Sequence, residues 1–256
     1  MYKNIFDSHA HYTDKAFDID RNELLDSLKE SGIRGIINCG ADLKSSEDSV
    51  KLSEKYDFIY ASCGVHPEEV DDLPSDYIDI LRQFCKIEGC IAIGEIGLDY
   101  YWRQDNKDLQ KKVFVEQIQL AKELDLPIIV HSRDAHEDTL NILKEHKPKG
   151  VLHCFSGSAE TAKEILKLGM YIGLGGAVTF KNAKKPLEVI EILPLDRLLL
   201  ETDCPYMAPV PMRGKRNNSS YIPYVAEKIG EIKGIDAQDI IDIATENTRK
   251  LFGVEI

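Results

Sequence analysis

A chain of 256 residues, 43% of them hydrophobic, is long enough to bury one large core. It carries 32 basic against 44 acidic residues, a net charge of −12, which excludes broad, charge-driven adhesion to nucleic acid. A polyanionic substrate would need a local basic patch or metal ions. No basic-then-apolar leader opens the sequence and no apolar run approaches ~18 residues, so a soluble, cytoplasmic protein is expected.

Eight short apolar runs alternate with amphipathic segments. The first, residues 4–8, leads into Asp7-Ser8-His9-Ala10-His11. Side chains two apart in a strand share a face, so two imidazoles can grip one metal ion and Asp7 can tune it. A helix over 20–31 opens on a capping-box-like Asp20/Glu23 pair and stops at Gly32. The run 33–39 precedes a helix over 43–56, and the run 58–63 ends before Gly64-Val65-His66-Pro67. Ser75 is a suitable N-cap for a helix over 75–87. The run 90–96 carries Glu95 and is followed by Tyr100, Tyr101 and Trp102, then by the longest helix, 105–125, which ends before Pro127.

The run 127–131 ends in His131, with Arg133 two residues on and a helix over 134–146. The run 150–154 carries His153, and the helix 158–168 starts at Ser158 and stops at Gly169. The runs 170–174 and 196–202 flank a helix over 184–193, and the last leads into Glu201-Thr202-Asp203. A loop bearing Arg213, Lys215 and Arg216 precedes two helices over 219–252, joined near Gly234. Eightfold alternation of buried strands and helices predicts a single α/β domain over 1–256, a (β/α)₈ TIM barrel. The competing open doubly wound sheet places a glycine-rich loop after its first strand, and residues 8–14 contain no glycine.

In a barrel the active site lies at the C-terminal strand ends. That rim would gather His9, His11, Glu95, His131, His153 and Asp203. Singly, each has an ordinary role: a histidine ending a strand is often a hydrogen-bonded core residue, and Asp203 could cap a turn. Jointly they point to metal. One zinc takes three or four ligands, and six are on offer, so two divalent ions bridged by Glu95 are expected, with zinc, manganese or magnesium all admissible. His66 is left open between ligand and substrate contact. His136 reads as solvated, and His146 as a partner of its helix dipole. Six cysteines, at 39, 63, 85, 90, 154 and 204, form no C-x-x-C pair and read as reduced thiols. Cys85 and Cys90 flank a turn and are expected unbridged. Cys154 and Cys204 adjoin proposed ligands but should face the other way.

The segments DSHAH (7–11), GVHPEE (64–69), GEIGLDYYW (94–102), PIIVHSRDA (127–135), HCFSGS (153–158), ETDCPYMAP (201–209) and RGKRN (213–217) occur in this order along nearly the whole chain. In these motifs the sequence resembles the TatD-family metal-dependent deoxyribonucleases, within the amidohydrolase-like metallohydrolases. The resemblance implies the barrel, a first metal on His9, His11, Glu95 and Asp203, and a second on Glu95, His131 and His153. It implies cleavage of DNA phosphodiesters by a metal-bridged hydroxide, as a 3′-5′ exonuclease on single strands with RNA as a further substrate. Many relatives follow RGKRN with Glu-Pro, where this chain has Asn218-Ser219-Ser220.

In such a reaction Asp203 would take the nucleophile's proton. Arg133 and His66 would hold phosphate oxygens, and Tyr100, with Tyr101 and Trp102, would stack on a base. Arg213, Lys215 and Arg216 would supply the positive patch that the net charge lacks, and a monomer would suffice. Two alternatives compete. One is an ester or amide hydrolase, such as a D-aminoacyl-tRNA deacylase, on the same metal pair. The other is a metal-binding barrel scaffold without turnover.

Overall fold

The structure, a computed structural model, describes residues 2–255. Among them, eight parallel strands pair in chain order: β1 (Ile5–Ala10), β2 (Ile33–Cys39), β3 (Ile59–Cys63), β4 (Cys90–Asp99), β5 (Ile128–Arg133), β6 (Gly150–Leu152), β7 (Tyr171–Leu174) and β8 (Leu198–Leu200). The sheet nearly closes through residues just beyond the last strand. Ala10 bridges Cys204 in parallel, the His11 amide donates to the Cys204 carbonyl at 2.8 Å, and the Asp203 amide donates to the His9 carbonyl at 2.9 Å. Barrel closure and the placement of three candidate ligands are therefore one set of hydrogen bonds.

Helices α1 (Arg21–Leu28), α2 (Leu43–Lys55), α3 (Tyr77–Phe84), α4 (Lys107–Glu123), α5 (His136–His146), α6 (Ala159–Lys167) and α7 (Lys184–Ile192) alternate with the strands. After β8 come α8 (Ile222–Lys233) and α9 (Ala237–Phe252), the latter packed on β1 and β8. Asn247 of α9 donates to the carbonyls of Leu195 and Leu198, which ties it to the edge of β8. None of these helices is long and apolar enough to cross a membrane.

Strand side chains bury on two fronts, which is why the runs lack clean alternation. Outward-facing residues such as Ile5, Ile33, Ile93 and Leu200 pack against the helices. Inside the barrel, Phe6, Ile37, Ala92, Ile129, Val151 and Leu199 form a plug beneath the site. Gly35 makes that plug possible, because a Cβ there would lie 2.2 Å from the Phe6 ring. Burial of each large apolar side chain contributes ~1.5–3 kcal/mol.

Some local expectations differ in detail. Asp20 precedes α1 but makes no cap bond, because its carboxylate is taken by Arg216. α3 starts at Tyr77, behind Asp76, so Ser75 does not cap it. Ser158 does cap α6, accepting from the Thr161 amide at 3.2 Å. A complete capping box forms instead at α2, between Asp42 and Ser45.

Candidate active site

Two strands carry irregularities where the candidate ligands sit. In β1 three residues separate Asp7 from Ala10 while the facing β2 advances two, from Ile36 to Asn38. In β4 three residues separate Ile93 from Ile96 while β5 advances two, from Ile128 to Val130. An extra residue bends a strand and re-aims a side chain. Here the extra residue falls at Ser8-His9 and at Gly94-Glu95, and both ligands turn toward the barrel axis.

Glu95 is the hub. Its Oε2 lies 3.3 Å from Nε2 of both His9 and His11. Its Oε1 lies 2.8 Å from His131 Nδ1, 2.7 Å from His153 Nε2 and 3.6 Å from His66 Nε2. Asp203 Oδ1 stands 3.4 Å from His11 Nε2 and 3.7 Å from His9 Nε2. His9 is fully buried, and Glu95 and His153 are 4% and 6% exposed. Three triads have donor atoms close enough for one ion each: His9 with His11 and Asp203, His9 with Glu95 and His153, and His66 with Glu95 and His131.

Outer partners set which ring nitrogen faces inward. His11 Nδ1 is 3.0 Å from the Cys39 carbonyl, an acceptor only, so that nitrogen carries a proton and Nε2 faces Glu95 and Asp203. His9 Nδ1 rests 3.4 Å from Cys39 Sγ. His131 Nε2 donates to Asp99 Oδ2 at 3.0 Å, turning Nδ1 to Glu95. Within the site, His153 Nδ1 and Glu201 Oε2 are buried and have no hydrogen-bond partner among the described residues. Five imidazoles and the carboxylates of Glu95 and Asp203, gathered in one largely buried space, match the donor set of a divalent cation.

The charge balance says the same. Burial would raise the Glu95 carboxyl, but His153 and His9 outweigh it and hold Glu95 ionised, well below the usual range. Burial and the neighbouring His153 push His9 down to about 4. Burial opposes charge on His11 and His131, yet Asp203 and Glu95 lift the first to about 10, and Asp99 and Glu95 lift the second to about 9. The neighbouring carboxylates thus favour positive charge at these two positions.

Several residues sit differently from the sequence expectation. Asp7 does not reach the imidazole rings. It accepts from Thr202 and Ser219 and fastens β1 to the segments after β8. Tyr100 is buried and its hydroxyl donates to Asp138, so it presents no face for stacking. Tyr101 and Trp102, by contrast, are 51% and 59% exposed, with the Arg133 guanidinium 4.0 Å over the Tyr101 ring and 5.4 Å from Trp102. Arg216 is spent on a two-pronged pair with Asp20 and on the Ala16 carbonyl. Arg213 covers the Phe180 ring at 4.1 Å, and Lys215 is exposed. His136 is half-buried, with its Nδ1 3.1 Å from Ser132 Oγ, while His146 does end α5. Cys154 and Cys204 join none of the ligand triads.

Two functional positions were missed. Asp99 links His131 to the amides of Tyr101 and Trp102 through its other oxygen. An acid ending an apolar strand beside a ligand histidine was the available signal. Glu201 is fully buried, accepts from the Cys154 amide, and is raised to about 8 by burial, with Asp203 adding to the shift. Gly173 leaves room for it, as a Cβ there would lie 2.3 Å from Glu201 Oε2.

Comparison with known proteins identifies the family. The family model of TatD related DNase matches residues 6–253. YabD of Bacillus subtilis, named an uncharacterized metal-dependent hydrolase, is 46% identical over 253 residues, 98% of this chain and 99% of its own. A protein of Rahnella sp. named 3′-5′ ssDNA/RNA exonuclease TatD is 33% identical over 261 residues, 98% of each chain. The crystal structure of the TatD homolog YJJV from Escherichia coli superposes with a TM-score of 0.93 at 32% identity, covering 100% of both chains. The chain thus belongs to the family of TatD related DNases, as a metal-dependent hydrolase built on a TIM barrel.

Proposed function

We propose that this protein hydrolyses phosphodiester bonds at the 3′ ends of single-stranded DNA and RNA, with two divalent ions (zinc, manganese or magnesium) as cofactors. The observation that carries this reading is the convergence of His9, His11, His66, His131 and His153 on Glu95, with Asp203 beside His9 and His11, together with an exposed Arg133–Tyr101–Trp102 group. The Rahnella relative, named for the same reaction, supports the substrate class. In this reading one ion rests on His9, His11, Glu95 and Asp203, and the other on Glu95, His131 and His153. Bound divalent ions supply a Lewis acid that lowers the pKa of water and neutralises charge on phosphoryl oxygens.

The chain's own groups do the rest. Burial opposes charge on Asp203, but the hydrogen bond from His11 and the nearby histidines keep it ionised below the usual range, ready to accept the attacking water's proton. His66 Nδ1 accepts from the Glu68 amide at 3.3 Å, so its proton sits on Nε2 and can be donated to a phosphate oxygen. Burial and the His131 charge hold His66 neutral, down to about 3. Arg133, exposed beside the Tyr101 and Trp102 rings, offers a guanidinium for a phosphate, and the faces of those rings suit a terminal base. The ligand set is complete within one chain, which supports a monomer as the working unit. Six free thiols support a reducing, cytoplasmic setting.

The test is a metal-swap assay. Protein stripped with chelator is reloaded with Mg²⁺, Mn²⁺ or Zn²⁺ and given 5′-labelled DNA, 5′-labelled RNA and an aminoacyl-tRNA ester. Progressive shortening of the labelled strands from the 3′ end supports the proposal. Release of free amino acid with intact strands would transfer the site to ester hydrolysis, and no turnover with any ion would leave a scaffold.

A further inference from the structure

A second cluster of side chains able to ligate a metal lies outside the candidate active site. Cys63 ends β3, Cys90 opens β4, and Cys85 follows α3. Cys90 Sγ is 3.5 Å from Cys63 Sγ and 3.6 Å from Cys85 Sγ, and all three sulfurs lie within 4.8 Å of one another. All three thiols are free. Cys63 and Cys90 belong to the outer core between sheet and helices, away from the barrel interior. Cys85 is half-buried, so the cluster can be reached through it.

Three sulfurs bound to one centre by bonds of about 2.3 Å stand roughly 3.5–4 Å apart, the spacing of Cys90 from each of its two neighbours. Sulfur donors of this kind select soft, thiophilic acceptors over magnesium or calcium. Among the described residues, no fourth histidine, cysteine or acid shares the space, so a four-coordinate zinc site is incomplete. A cation on three thiolates would also leave net negative charge in a buried, apolar place, which is costly. A trivalent metalloid avoids both problems, because it takes three sulfurs and the product is neutral.

We propose that Cys63, Cys85 and Cys90 form a three-thiol site for trivalent arsenic or a metalloid of the same thiophilic class. The reaction is a ligand exchange without redox change. Three S–H bonds and three As–O bonds of As(OH)₃ break, three As–S bonds form, and three waters leave. Exchange begins at Cys85 and proceeds to the two buried sulfurs. The adduct joins β3, the end of α3 and β4.

The probe is sodium arsenite, added to the reduced full-length protein. Arsenic retained after gel filtration is counted, and X-ray absorption reports its neighbours. One arsenic per chain with three sulfur neighbours is expected. Cys85→Ser should speed arsenic release ~100-fold by removing one arm of the chelate, with the circular dichroism spectrum unchanged. Oxygen neighbours, two sulfurs in the unsubstituted protein, or equal retention by Cys85→Ser would each overturn the assignment. The absorption measurement needs no variant, so it decides even if Cys85→Ser folds poorly.

Discussion

The floor and the rim of the barrel mouth use similar side chains under opposite constraints. On the floor, His9, Glu95 and His153 are nearly sealed from water, and strand geometry fixes where they point. On the rim, Tyr101 and Trp102 are more than half exposed, and loops place them. Removing a floor group leaves buried partners uncompensated, whereas removing a rim group exposes little that was hidden. The contrast predicts that floor substitutions act on turnover and metal content, and rim substitutions on substrate affinity or on nothing catalytic.

The largest effect falls at the hub. Glu95→Gln keeps the side chain's shape and removes the charge that five histidines share. Metal content should collapse, and turnover should fall ~10³-fold or more, the equivalent of about 4 kcal/mol. Elemental analysis beside a nuclease assay reads both. A variant that keeps its metal and its rate removes Glu95 from the centre. Asp203→Asn comes next. It should lower kcat ~10²-fold, as expected for loss of a proton acceptor, with a smaller loss of metal than at Glu95. Unchanged kcat would assign the proton to another group.

Asp99 belongs to both regions, since one oxygen holds His131 and the other holds the turn of Tyr101 and Trp102. Asp99→Asn should therefore weaken metal binding or activity by ~10–100-fold and also raise KM. A change in metal affinity alone, with KM intact, would show that the rim keeps its shape without this carboxylate.

The floor was legible in the sequence because strand alternation and barrel topology leave few places for a residue at a strand end. His9, Glu95, His131, His153 and Asp203 come from five separate runs, and the fold has one rim to bring them to. The two strand irregularities were not legible, since an extra residue in a ladder depends on the facing strand. For that reason Asp7, expected beside the imidazoles, turns to Thr202 and Ser219. The rim was harder still. Tyr100, Tyr101 and Trp102 are adjacent aromatics, and only packing against Asp138 and Lys107 turns the first inward. Arg216 looks as free as Lys215 in sequence. Its partner, Asp20, is 196 residues away along the chain.

That hidden pairing gives the smallest effects and the sharpest contrast within the rim. Trp102→Ala removes an exposed ring that nothing in the barrel core requires, so folding should be unchanged. If the ring stacks on a terminal base, KM for single-stranded DNA should rise about tenfold with kcat preserved, in line with ~1–3 kcal/mol per stacked base. Arg216→Ala should do the reverse. Its guanidinium is held by Asp20 and the Ala16 carbonyl and lies 4.7 Å from the Phe17 ring. Both charges of the pair are about one-third exposed, so water screens it and its loss should cost little stability. A small fall in melting temperature with unchanged KM places Arg216 in the scaffold. A rise in KM matching that of Trp102→Ala, at unchanged stability, would mean that Arg216 leaves Asp20 for the substrate.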